Sequence, residues 1–138
     1  MARALTAYLA RAHVPARAAL QAAIDALKLK LVLDDGYVPL ESAGYLPCTL
    51  DGEDAGFTLR FRPADAPPPS PAIAAVLDGR DVAMEVRWSG DVREQISALG
   101  VCAALAAAFG ALVADPDTDA PLDAKTLAAR ARAALEDI

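Results

Sequence analysis

Hydrophobic positions change their spacing several times along this chain, and each change marks a new element. Leu5, Ala7 and Leu9 alternate with their neighbours as a strand does; the intervening alanines also suit a helix, and the alternation favours an opening strand. Pro15 is suited to a first helical turn, after which Leu20, Ile24 and Leu27 recur at i, i+4 and i+7 while Arg17, Gln21, Asp25 and Lys28 line the other side. That spacing predicts an amphipathic helix. From Leu29 the period drops to two, so Leu29, Leu31 and Leu33 predict a short strand that Asp34-Asp35-Gly36 stops. Residues 45–50 and 57–62 flank Asp51-Gly52-Glu53-Asp54, and Phe57, Leu59 and Phe61 alternate with Thr58, Arg60 and Arg62. This pattern predicts a β-hairpin with one buried face, its glycines (Gly44, Gly52, Gly56) placed at turns and bulges.

Pro67-Pro68-Pro69 can hold neither ladder nor helix, so the stretch around it is an exposed connection. Residues 73–77 predict a short helical turn. Val82, Met84, Val86 and Trp88 then alternate with Ala83, Glu85 and Arg87 as a strand, which puts Arg60, Arg62, Glu85 and Arg87 on outward faces. Ser89-Gly90-Asp91 starts a helix that is apolar on nearly every side up to Phe109 and stops at Gly110, the signature of a central buried helix. Residues 111–114 predict a strand and residues 115–121 an acidic turn. Asp123 caps a last helix whose Leu127, Ala131, Leu135 and Ile138 share a face. The sum is an α+β fold: one domain over residues 1–138, with a mixed or antiparallel sheet of about five to six strands backed by about three helices.

Composition supports a single core. The chain has 138 residues, 55% of them hydrophobic, enough for one domain and too few for two. Much of that fraction is alanine, so the core leans on a few large side chains. Residues 96–114 carry no charge, a length that matches a membrane span, but their alanines with Gly100 and Gly110 read better as a buried helix followed by a strand. The start, Met1-Ala2-Arg3-Ala4-Leu5, reaches Arg11 without the apolar run of a signal peptide. Cys48 and Cys102 lie far apart in apolar contexts and read as buried free thiols, which suits a reducing cytoplasm.

The charges exclude some functions and suggest another. With 19 acidic and 13 basic residues the net charge is −6, and no Lys/Arg run is present to neutralise phosphates, so nucleic acid is not an expected ligand. The single histidine, His13, has no nucleophile placed beside it by motif, and both cysteines stand where burial raises a thiol's pKa. No catalytic residue is assigned. Asp115-Pro116-Asp117-Thr118-Asp119 opens like a calcium loop but lacks the following glycine and the distal glutamate, so no metal is assigned, and scattered glycines give no phosphate loop or cofactor site. Residues 1–30 carry five basic groups and one acid, whereas between Leu31 and Leu59 stand six acids and no lysine or arginine. Those loops also hold Tyr37 and Tyr45. Asp34, Asp35, Tyr37, Glu41, Asp51, Glu53 and Asp54 are therefore the candidate partner-binding residues, suited to steer and hold a basic protein surface. Trp88, ending an alternating strand, reads as core.

Gly44-Tyr45-Leu46-Pro47-Cys48-Thr49-Leu50-Asp51-Gly52-Glu53-Asp54-Ala55-Gly56-Phe57, then Arg87-Trp88-Ser89-Gly90-Asp91 ahead of a small-residue helix, resembles a family of small bacterial immunity proteins of interbacterial toxin systems, of the type VI secretion or polymorphic-toxin kind. The similarity in order and spacing spans about residues 15 to 137 and lies in turns and strands. Thr58 stands where relatives commonly carry an acid after the Gly-Phe pair. The resemblance implies a cytoplasmic, non-catalytic protein that binds a cognate toxin stoichiometrically and blocks its active site or substrate access. The alternative, from the residues alone, is a small regulatory or scaffold module for another host protein.

Overall fold

A computed structural model describes residues 3–138. Its strands are β1 (Ala4–Leu9), β2 (Leu31–Leu33), β3 (Ala43–Leu50), β4 (Glu53–Pro63), β5 (Val82–Arg87), β6 (Leu112–Asp115) and β7 (Ala120–Leu122). The helices are α1 (Arg17–Asp25), α2 (Pro71–Ala74), α3 (Val92–Ala108) and α4 (Ala124–Leu135). The strands form one seven-stranded sheet in the order β2-β3-β4-β5-β1-β6-β7, with every pair antiparallel. This is the α+β fold expected, with one strand more: β7 falls inside the stretch read as a turn. A strand of three residues with Pro121 at its centre leaves no alternation to detect, and Pro121 is tolerated because β7 is an edge.

One face of the sheet is covered along most of its length. Leu5, Ala7 and Leu9 on β1, Phe57 and Leu59 on β4, Met84 and Val86 on β5, and Val113 on β6 alternate onto it and join α1, α3 and α4 in the main core. In α3, residues 96–105 are all buried, since the helix lies between the sheet and its two neighbours. Each large aliphatic side chain buried here contributes about 1.5–3 kcal/mol. Its one buried polar side chain, Ser97, donates to the Arg93 carbonyl at 2.9 Å. On the other face, short α2 covers a small second cluster of Ile73, Tyr8, Ala64, Ala83 and Ala114. The outward positions of β2, β3, β4 and most of β5 carry no helix.

Several local readings are corrected. The strand expected from Leu29 begins at Leu31, because Lys28 and Lys30 adopt φ of 59° and 58°, incompatible with extended chain. The hairpin turn is two residues, Asp51 and Gly52, both at positive φ as a type I′ turn requires, so Glu53 and Asp54 belong to β4. Gly56 makes no bulge, since the β3–β4 register runs unbroken through Pro47 and Gly56. Ile138 lies beyond the end of α4 and is exposed rather than on its buried face. No helix among the described residues is long and apolar enough to cross a membrane.

Candidate protein-interaction surface

Antiparallel pairing brings most of the expected acids to one corner, where β2, β3 and β4 meet. Asp34 and Asp35 follow β2, and Asp54 pairs across from Thr49, which in turn pairs with Val32. Asp34, Asp35 and Asp54 line one open groove of about 400 Å³ with Val32, Thr49 and Arg17. Asp51 stands at the hairpin tip, and Glu53 beside it. The side chains of Asp35 and Glu53 are 97% and 79% exposed.

Four of the five acids have a basic or backbone neighbour at their carboxylates. Arg17 Nε lies 3.4 Å from Asp35 Oδ1, and Lys30 Nζ lies 3.6 Å from Asp51 Oδ1. Asp34 Oδ2 accepts from the Gly36 N–H at 2.8 Å. Arg93, in the first turn of α3, enters the hairpin from behind: its guanidinium donates to the carbonyls of Leu50, Asp54 (3.1 Å) and Glu53 (3.3 Å) and pairs with the Glu53 carboxylate at 3.5 Å. Exposed pairs of this kind contribute about 0–1 kcal/mol. They leave the carboxylates largely open to a partner.

Two expected residues are not at this corner. Tyr37 is a correction: it is only 3% exposed, its hydroxyl donates to the Pro15 carbonyl at 2.9 Å, and burial pushes its pKa up to about 12. A side chain so enclosed anchors the loop to the segment ahead of α1 and is not presented at the surface. Glu41 is exposed but lines a separate groove with Arg11, Phe61 and Arg62. Trp88 is half-buried against the main core.

Tyr45 has the opposite fate to Tyr37. Its ring is on the uncovered face and the residue is 54% exposed. Its hydroxyl donates to the Ala55 carbonyl at 3.0 Å and lies 3.5 Å from Glu94 Oε2. Partial burial first, and then the Glu94 carboxylate, raise its pKa. Gly56 lies under the ring, where a Cβ would come within 2.5 Å of the Tyr45 oxygen and 2.7 Å of Cζ.

Further along the same face, Arg60 and Arg62 both bond Glu85, Arg60 Nη2 at 3.1 Å from Oε1 and Arg62 Nε to Oε2. Burial works to raise the Glu85 pKa, but the Arg62 hydrogen bond and the charges of Arg62, Arg60 and Arg87 outweigh it, and the net shift is downward. The outward positions of β4 thus run from acid at Asp54, past Gly56 under Tyr45, to base at Arg60 and Arg62. Sequence reasoning placed those arginines outward but missed Arg93 and Glu94. A signal was present: Asp91 and Glu94 have the spacing of a helix cap, and Glu94 Oε1 does accept from the Ser89 N–H at 3.0 Å.

His13 is exposed in a short turn before α1. Cys48 and Cys102 are buried free thiols whose pKa values burial pushes up to about 12, with the Asp34 charge adding to the effect at Cys48. Among the described residues no group of three or more His, Cys, Asp or Glu side chains is placed to hold a metal ion. No family model, curated protein or solved structure matches this chain.

Proposed function

We propose that this chain is an immunity-type protein of the cytoplasm, which binds a cognate antibacterial toxin one to one and neutralises it by occlusion, with no chemistry of its own. The observation that carries this reading is the corner at β2, β3 and β4. Asp34, Asp35 and Asp54 line one groove there, with Asp51 and Glu53 at the neighbouring hairpin end, all from a stretch free of lysine and arginine, and their basic neighbours come from α1, α3 and Lys30. Such a surface attracts a basic partner over a Debye length and accelerates its docking. The toxin would accordingly present a basic contact surface.

The test is co-expression with the toxin encoded beside this gene, scored by host growth and by one-to-one co-purification. Wild type restores growth, and Asp51→Lys with Glu53→Lys weakens binding while leaving the fold intact. A neighbouring toxin that stays fully active beside wild type rejects the reading. The outward Arg60, Arg62 and Arg87 favour a second reading, a regulatory or scaffold module for an acidic host protein; tight binding of such a protein in place of a toxin would establish it.

A further inference from the structure

We propose that Tyr45 is a preorganised anchor that takes a cationic side chain, arginine above all, from the basic protein partner. The inference rests on the reading above that the partner is basic. It assigns the centre of contact to residues outside the acidic corner: Tyr45, Gly56, and the Asp91 and Glu94 carboxylates at the start of α3.

An exposed tyrosine samples several rotamers, and binding must then immobilise it at a cost in entropy. Tyr45 is already immobilised. The phenol end of its ring lies over Gly56, where a side chain would overlap both the phenol and the Leu46 carbonyl. Gly56 also adopts a φ of 146°, which a side-chain-bearing residue rarely takes up. The hydroxyl is tethered at the far side by the Ala55 carbonyl, with Glu94 alongside. More than half of the residue is still open to solvent, so a rigid π-face is presented rather than used as core.

Charge selects the occupant. The negative face of a phenol ring attracts a cation, and a planar guanidinium can stack on the ring while its edge reaches a carboxylate. Glu94 Oε2 is 3.5 Å from the phenol oxygen, and Asp91, exposed at the helix cap, adds to the same field. An acidic side chain would gain neither contact, and a neutral one would gain no charge attraction. The face is a site for a guanidinium-bearing segment of a protein.

Tri-arginine amide serves as the probe, titrated into the intact chain at about physiological ionic strength and followed residue by residue by ¹H–¹⁵N NMR. The largest shifts are expected at Tyr45, Gly56, Asp91 and Glu94. Tyr45→Ala is expected to weaken binding about two- to five-fold, whereas Tyr45→Phe, which keeps the ring, retains most of it. Gly56→Ala is expected to weaken it as much with Tyr45 still present, because the methyl meets the phenol; it also meets the Leu46 carbonyl, so if that variant is less well folded the Tyr45 pair decides alone. Shifts confined to Asp34, Asp35, Asp51 and Glu53, or undiminished binding by Tyr45→Ala, overturn the proposal. In the toxin assay, a Tyr45→Ala chain that neutralises as well as wild type rejects the anchor and leaves the immunity reading standing. Tri-arginine binding at Tyr45 with no toxin neutralised rejects the immunity reading and leaves the anchor.

Discussion

Gln21 on α1 bonds the outer side of β2 as a neighbouring strand would: its Nε2 donates to the Leu31 carbonyl at 2.8 Å and its Oε1 accepts from the Leu33 N–H at 2.8 Å. Arg17 continues the row, donating to the carbonyls of Leu33 (2.5 Å) and Asp34 (3.1 Å). An edge strand left with free N–H and C=O groups invites pairing with another chain. Here a helix satisfies them, and Pro121 blunts the opposite edge. Pairing of another strand at either edge is therefore disfavoured.

Replacing Gln21 by alanine removes both bonds to β2, together with one to Asp25 Oδ1, and frees the β2 edge. The expected loss is about 1–2 kcal/mol, read as a lower denaturant midpoint. Self-association at high concentration should rise as well, which light scattering measures. A Gln21→Ala chain that is as stable and as monodisperse as wild type would show that water replaces the amide without cost.

Arg93 ties the hairpin to α3 through three carbonyls. Arg93→Met keeps most of the aliphatic stem but leaves those carbonyls without their charged donor, at an expected cost of about 2–3 kcal/mol. Amide exchange should accelerate at the hairpin, residues 50–55, before it does in α3. Uniform acceleration across the sheet would mean that the hairpin has no local stability of its own.

Glu85 links two strands to two arginines, and its side chain is 14% exposed. Its pKa in the folded chain is below that in the unfolded chain, so the unfolded state binds the proton more tightly. Its contribution is complete above the ordinary carboxylate range and is lost as pH falls through the lowered folded value. Glu85→Gln should cost about 2 kcal/mol at neutral pH, and the difference from wild type should shrink in acid. Denaturant titrations at neutral and acidic pH measure it; a gap that widens in acid contradicts the assignment.

Cys48 and Cys102 are buried, with thiol pKa values near 12. A disulfide reagent reacts with thiolate, which both sites suppress at neutral pH. Modification should therefore follow unfolding, with both thiols reacting in denaturant and neither on the time scale of mixing in buffer. Rapid native labelling of Cys48 would show that the β2–β3 edge opens locally.

Much of the fold was legible because it depends on spacing. Alternation at Phe57, Leu59 and Phe61, and again at Val82, Met84 and Val86, identified strands whose one buried face is local information. Asp123 was readable as a cap, and its Oδ1 does accept from the Thr126 N–H at 2.7 Å. The acids of the corner were legible as residues, but their convergence was not, because Val32, Thr49 and Asp54 align only once three strands pair.

Two tyrosines mark the division most clearly. Tyr37 and Tyr45 stand eight positions apart in acidic surroundings, and nothing in their immediate neighbours tells them apart. Pro15 supplies the carbonyl that draws Tyr37 inward, and Gly56 supplies the gap that holds Tyr45 outward. The order of side chains determined the class of fold, the elements and the overall charge, since these follow from periodicity and composition. The tertiary structure decided which groups are presented, because exposure depends on contacts between residues distant in the chain.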